Sequence, residues 1–210
     1  MLRPRLAIVL ALLAGLETAS AEEEFRSLEN DDCAAAIVFH DETLDEPNET
    51  NLVCAVWSDG FFVWSENPIE GGAPYFAGKI TPDEVADFRE KLVRDGYLVR
   101  KPPFDTFATG PHYPYTTIRV TADKQSLTLT SWHEYGEEGG EAAAFSEGLS
   151  LIGEKSTRLQ TTAKSDPSYL MFRIVWLELR QEMDRMRPDE KIPVRGLVVY
   201  REGHLYWHLP

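Results

Sequence analysis

The five histidines of this sequence invite a search for a metal site or a catalytic base. His204 and His208 are four residues apart, but the alternating pattern around them predicts a strand. Over four strand residues the backbone advances by about 13 Å, too far for two histidines to share one zinc ion. His133-Glu134 begins like the helical zinc-protease motif but lacks its second histidine. We therefore predict no metal site.

Motifs for a nucleophile or a cofactor are incomplete as well. Ser150 lies in a glycine-bounded segment, residues 148–153, that is one residue longer than a nucleophile elbow. The two Gly-Gly pairs are flanked by glutamate and are not followed by lysine, so they do not resemble phosphate-binding loops. The sequence favours a protein that is not an enzyme and binds no cofactor. The alternative is a secreted hydrolase whose site is assembled from distant residues, with His133 and Glu134 as candidates.

A proline-bounded aromatic segment is the other candidate for a binding site. His112, Tyr113 and Tyr115 lie in the run Pro111-His112-Tyr113-Pro114-Tyr115. Aromatic side chains held rigidly near a surface often form binding faces. The competing interpretation is that they fill a core between a sheet and its helices. We carry His112, Tyr113, Tyr115, His133 and Glu134 forward as candidate binding residues.

The chain has two cysteines, Cys33 and Cys54. An even count in an exported protein favours a disulfide, which here would join two early strands. Closing a loop of that size would stabilise the fold by roughly 3 kcal/mol in the chain-entropy model. The alternative, a nucleophilic thiol, requires a free cysteine beside a histidine.

The first 21 residues predict export. Arg3 and Arg5 precede an apolar run over residues 6–16, and Ala19-Ser20-Ala21 provides the small residues that a signal peptidase reads. A membrane anchor is the alternative, but the run is about half the length of a membrane span. We expect residues 1–21 to be a signal peptide cleaved near Ala21. Residues 22–210 then form a single periplasmic or extracellular domain without a stable membrane anchor.

The formal net charge of −14 limits the classes of partner. Nucleic-acid binding depends on neutralising phosphates with Lys and Arg, so it is not expected. Residues 22–60 contain twelve acidic side chains and only Arg26 as a base. This region reads either as a solvated edge or as a docking face for a cationic partner. The expected partner is an unidentified protein or a component of the cell envelope.

The clearest secondary-structure signals in the sequence are those of a β-hairpin and of the helix that follows it. Ser58-Asp59-Gly60 separates two apolar runs, and Asp-Gly at that position is typical of a tight turn. We expect residues 52–57 to pair with residues 61–65. Thr81-Pro82-Asp83-Glu84 then has the cap, proline and acid of a helix start, and Gly96 ends that helix.

The rest of the chain predicts further strands and one long helix. Residues 115–121 and 126–132 alternate and form a second hairpin. Residues 168–187 form the longest helix, and residues 196–209 return as a strand or small hairpin. Apolar side chains recur along that helix at steps of three and four, namely Tyr169, Phe172, Trp176, Leu179, Met183 and Met186. We predict an α+β fold, a mostly antiparallel sheet packed by two amphipathic helices.

Three segments together resemble a pattern in uncharacterised exported bacterial proteins. They are residues 57–64, residues 78–85 and the pair Gly96-Tyr97. In those proteins a strand, an Asp-Gly turn and a second strand lead to a helix that opens with Ser/Thr-Pro-Glu. The resemblance implies a location in a bacterial envelope and assigns no activity. We therefore expect an exported, non-enzymatic domain that binds or scaffolds another molecule.

Overall fold

A computed structural model describes residues 24–41, 49–99, 106–107, 115–132 and 167–210. The predicted signal peptide and the candidate residues His112, Tyr113, His133 and Glu134 lie outside these ranges. Expectations that concern them remain predictions.

The described chain is rich in β-sheet and contains two α-helices, which confirms the α+β class. The described strands are β1 (Glu24–Ser27), β2 (Cys33–Asp41), β3 (Glu49–Trp57), β4 (Phe61–Ser65), β5 (Tyr75–Lys79), β6 (Thr106–Phe107), β7 (Tyr115–Ala122), β8 (Gln125–Trp132), β9 (Ile192–Val194), β10 (Leu197–Arg201) and β11 (His204–Leu209). A larger sheet has eight strands in the order β6-β8-β7-β2-β3-β4-β5-β9, and a smaller sheet has the order β1-β11-β10. Of the strand pairs described, only β6 with β8 is parallel.

The turn between β3 and β4 has the predicted chemistry. Asp59 Oδ1 accepts a hydrogen bond from the Phe61 amide at 3.1 Å, and Gly60 has a φ of 81°. The carbonyl of Gly60 accepts a hydrogen bond from the Ile80 amide at 3.0 Å. The hairpin turn is therefore joined directly to the residue that precedes the cap of the first helix.

The first helix, α1 (Pro82–Arg94), begins with the predicted capping box. The Thr81 hydroxyl accepts from the Glu84 amide at 3.2 Å, and the Thr81 amide donates to Glu84 Oε2 at 2.7 Å. Its buried residues are Val85, Phe88 and Leu92. Val93, which the helical period would place with them, is instead 43% exposed. A short 3₁₀ helix, Tyr97–Val99, follows.

The second helix, α2 (Pro167–Met186), has nearly the predicted bounds. Its buried residues include Phe172, Trp176, Leu179 and Met183, all at positions predicted from the helical period. Neither described helix is long and apolar enough to cross a membrane.

Two hydrophobic clusters lie on opposite faces of the larger sheet. Along β2, Ile37 and Phe39 belong to the first cluster, together with buried residues of both helices. Ala36 and Val38 belong to the second, which also contains Trp207 of β11. Successive strand residues point to opposite faces. The unbroken burial of residues 33–39 therefore follows from a strand that is covered on both sides.

The predicted disulfide between Cys33 and Cys54 is wrong, because both cysteines are free and buried. Cys54 lies in the first cluster and Cys33 in the second, so the thiols are on opposite faces of the sheet. A disulfide requires Cβ atoms about 3.5–4.5 Å apart, which side chains on opposite faces of one sheet do not reach. Cys54 instead donates to Met183 Sδ at 3.5 Å. Burial raises the pKa of Cys33 to about 12 and also raises that of Cys54.

The last two strands form the small hairpin expected near residues 196–209. Glu202 and Gly203 make the turn with φ values of 53° and 86°. β11 pairs with β1 on its other side, so the two ends of the described chain share the smaller sheet. That sheet covers the face of the larger sheet that the helices leave free, since Trp207 is fully buried in the second cluster.

Candidate functional site

Tyr115 is the one candidate binding residue that the described ranges include. It begins β7 and stacks on His40 of β2, with ring centroids 4.3 Å apart and planes 12° apart. Its expected neighbours, His112, Tyr113, His133 and Glu134, are not described. A binding face formed by these five residues therefore stays a prediction.

His40 is a half-buried histidine that belongs to none of the motifs in the sequence. It lies opposite Thr50 in β3 and Tyr115 in β7. Its Nδ1 is 3.4 Å from the Thr50 hydroxyl, whereas its Nε2 is buried without a hydrogen-bond partner in the described part of the chain. Burial lowers the pKa of His40 to about 4. The ring is therefore neutral at pH 7 and packs as an aromatic side chain.

We expect His40 to make the protein less stable as the pH falls from about 6.5 to 4. The unfolded chain binds a proton at this histidine near pH 6.5, whereas the folded chain does so only near pH 4. The unfolded state thus holds more protons within this window, and the loss approaches about 3 kcal/mol at its lower end. Urea unfolding at pH 7.5, 5.5 and 4.5 measures it. His40→Gln should flatten this part of the profile, because it removes the titrating ring. Equal slopes for the wild type and His40→Gln would contradict the assignment.

A concave surface lies between α1 and α2. It is a cleft of about 520 Å³, which is within the usual range for small-molecule sites. Three apolar side chains line it, namely Ile80 before α1, Phe88 of α1 and Met186 of α2. The charged residues around them come from both helices, Glu84, Asp87, Glu90, Lys91 and Arg94 from α1 and Glu182 and Arg185 from α2.

A second cavity of about 360 Å³ adjoins the first. The two cavities share Lys91, Glu182 and Arg185. Beyond these residues the second cavity is lined by Asp95, Tyr97, Glu178 and Gln181. We refer to the two cavities together as the interhelical cleft.

Glu182 is the centre of the charge network in the interhelical cleft. Its carboxylate accepts hydrogen bonds from Lys91 Nζ and, at 2.9 Å, from Arg185 Nη1. The Glu182 side chain is 19% exposed, whereas Arg185 is 68% exposed. Nearby, the Tyr97 hydroxyl donates to Glu178 Oε2 at 3.0 Å. Carboxylates and cations thus line the same cleft, an arrangement that can bind a ligand carrying both signs of charge.

The local sequence explains how these charges reach the cleft. Lys91 directly precedes the buried Leu92, and Glu182 directly precedes the buried Met183. Each charged residue is therefore next to a buried apolar residue of its own helix. The pair is not evident from the sequence, because each residue on its own is typical of a solvated helix face.

A separate cavity of about 320 Å³ lies beside the Asp-Gly turn. Arg26 Nη1 is 3.0 Å from both carboxylate oxygens of Asp59. Its guanidinium also lies 4.3 Å from the centre of the Phe61 ring. Arg26 is covered by that ring and is only 19% exposed, against 68% for Arg185 of the interhelical cleft, so this cavity is the weaker candidate for a ligand.

Metal-binding geometry is not found within the described residues. No three His, Cys, Asp or Glu side chains in those ranges are placed to hold an ion. His204 Nδ1 instead lies 2.7 Å from Glu29 Oε2, and His208 stacks on Phe25 with centroids 4.3 Å apart.

Comparison with known proteins does not place this chain in a family. The resemblance to exported bacterial proteins, which consists of turn and cap signals, remains an expectation. No protein-family model matches the chain, and no curated protein or solved structure matches it either.

Proposed function

We propose that this chain is an exported, non-enzymatic binding domain whose ligand site is the interhelical cleft. The ligand class that fits is a short peptide with free charged termini, of the kind a cell envelope contains. The observation that carries this proposal is Glu182, a carboxylate shared by Lys91 and Arg185 where the two cavities adjoin.

The charges of the interhelical cleft suit the two ends of such a peptide. The carboxylate terminus of a peptide would accept hydrogen bonds from Lys91 and Arg185. Its ammonium terminus would donate hydrogen bonds to Glu182 and Glu178. Hydrogen bonds to charged groups contribute about 1.5–3 kcal/mol each when they are well formed. Ile80, Phe88 and Met186 offer apolar contact to the body of the peptide.

Two sequence features support the proposed location of the protein and the proposed class of ligand. Arg3, Arg5 and the apolar run after them favour export. The net charge of −14 disfavours phosphate polymers and leaves small ligands or proteins as partners. We further propose that α1 and α2 act as two amphipathic covers of the larger sheet, since their buried side chains share one cluster with its strands. Such packing would hold the two walls of the cleft at a fixed separation.

The proposal predicts that a tetrapeptide containing Glu and Lys, with free termini, stabilises residues 22–210 in a thermal unfolding assay. At a hundred times its dissociation constant a ligand adds about 2.7 kcal/mol, which shifts the midpoint by roughly 5–10 °C in a domain of this size. The same peptide with both termini blocked should shift the midpoint much less, because its terminal charges are gone.

Substitutions assign the effect to the cleft. Lys91→Met combined with Arg185→Met should weaken binding at least tenfold, which is about 1.4 kcal/mol. Glu182→Gln should remove the preference for a free amino terminus. Lys79→Met, at an exposed lysine of β5 outside the cleft, is the matched control. Unchanged affinity in the double variant would overturn the site, and cleavage of the peptide would replace the binding function with an enzymatic one.

A further inference from the structure

The four outer strands of the two sheets differ in how they are protected from pairing with another chain. β6 has only two residues, and β9 has three, one of them Pro193. β1 has four, including the charged Glu24 and Arg26. Short length, proline and charge are the usual devices that protect a sheet edge.

β10 is the longest of the four, contains no proline, and has its only charge, Arg201, at its last residue. It is five residues long, reads Leu197-Val198-Val199-Tyr200-Arg201, and stands at the end of the order β1-β11-β10. Leu197 is 49% exposed and Tyr200 is 74% exposed. In the described part of the chain, β11 is the only strand that pairs with it. β10 therefore presents an apolar edge that a further strand can extend.

We propose that β10 pairs antiparallel with β10 of a second copy of this chain, around a two-fold axis at Val199. Such an axis runs perpendicular to the sheet, so residues from equivalent faces lie opposite each other. Val198 then lies opposite Tyr200 of the partner subunit, and Leu197 lies opposite Arg201 of the partner subunit. The two small sheets become one six-stranded sheet.

The strand is complementary to itself in this register. Aromatic and β-branched side chains opposite each other stabilise antiparallel pairs, and the central pairs place Tyr200 and Val198 in that relation. No like charges are opposed. Beyond the strand, Arg195 lies opposite Gly203 of the partner subunit and Glu202 opposite Gly196 of the partner subunit, so each charged side chain meets a glycine. A second copy can thus pair with the backbone groups at the edge of β10 without opposing like charges or bulky side chains.

The net charge of −14 on each copy opposes association at long range. Salt screens such repulsion, with a Debye length of about 8 Å at 0.15 M. Apolar and backbone contacts at β10 are not weakened in the same way. The dimer should therefore become tighter, not weaker, as salt is raised from low to physiological concentration.

Sedimentation equilibrium of residues 22–210 over a range of concentrations tests the proposal, with a monomer–dimer equilibrium as the expected result. Leu197→Lys should raise the dissociation constant at least tenfold, because the new ammonium lies opposite Arg201 of the partner subunit. Val99→Lys is the matched control, since Val99 is also an exposed apolar residue, at 74%. It should change the constant less than twofold. A monomer at every concentration and salt would overturn the proposal.

Cross-linking tests the register. At the two-fold axis Val199 faces its own copy, with Cα atoms about 4.5–5.5 Å apart, within the range of a disulfide. Val199→Cys should therefore form a disulfide-linked dimer under mild oxidation, while Cys33 and Cys54 remain buried and unreactive. Leu197→Cys, four strand residues from its own copy, should not. Equal cross-linking of the two variants would contradict the pairing around Val199.

Discussion

Trp207→Ala is expected to lower the free energy of unfolding by about 3–5 kcal/mol, the cost of removing a large aromatic side chain from a close-packed core. Trp207 is fully buried between the two sheets. Its ring meets that of Tyr75 edge to face, with centroids 4.7 Å apart. A Cβ added at Gly196 would lie 2.2 Å from the same ring, so backbone also closes around it. Urea unfolding monitored by circular dichroism measures the loss.

Two comparisons show whether the loss comes from the packing of the sheets. Trp207→Phe retains a ring and removes an indole N–H that has no hydrogen-bond partner in the described residues, so it should cost about 1 kcal/mol or less. Val99→Ala, at an exposed position, should stay within about 0.5 kcal/mol of the wild type. A loss below about 1 kcal/mol for Trp207→Ala would mean that the smaller sheet does not pack on the larger one.

Gly60→Ala is expected to destabilise the protein by about 2–5 kcal/mol, from backbone strain together with a steric clash. Gly60 has a φ of 81°, a conformation that costs alanine about 1–2 kcal/mol. An added Cβ would also lie 1.9 Å from the carbonyl oxygen of Ile80. Because that contact is with backbone, the hairpin turn and the start of α1 have to move apart.

Gly203→Ala separates the two causes. Gly203 has a similar φ of 86°, but an added Cβ there meets no atom within 4 Å. It should therefore cost only the strain, about 1–2 kcal/mol. Thermal or urea unfolding of both variants gives the difference, which is the clash at Ile80. Equal losses in the two variants would show that the turn and the helix start do not touch.

The local signals in the sequence predicted much of the secondary structure. The Asp-Gly turn at Gly60 and the capping box at Thr81 depend on a few neighbouring residues, so their chemistry can be read directly. The period of Phe172, Trp176 and Met183 similarly predicted a long helix with a buried face. Each of these features depends only on residues of the same turn or the same helix.

Features that depend on contacts between distant segments were not predictable in this way. The period of two along β2 does not say which of its faces the helices cover, and the pairing with β3 shifts register between Cys33 and Ala35. The disulfide prediction failed for that reason. The approach of Lys91 to Glu182, which is 91 residues later in the chain, likewise depends on how the two helices pack together.

The sequence pattern also did not show which sheet the last two strands would join. Alternation around Glu202-Gly203 predicted a small hairpin, and a hairpin is present. Its place in a separate sheet with β1 follows from pairing between the two ends of the described chain, Glu24 opposite Leu209. No nearby residue signals a partner 185 positions away.

Because Cys33 and Cys54 lie on opposite faces of the larger sheet, the reactivity of each thiol can report local unfolding on its own side. One thiol belongs to the layer shared with the helices and the other to the layer shared with the smaller sheet. A buried thiol reacts only in molecules whose surroundings have opened, and such openings occur in cooperative units smaller than the whole fold. The labelling rate of Cys54 thus follows detachment of the helices, and that of Cys33 follows detachment of the smaller sheet. Two layers that open together would give one rate, and two layers that open independently would give two.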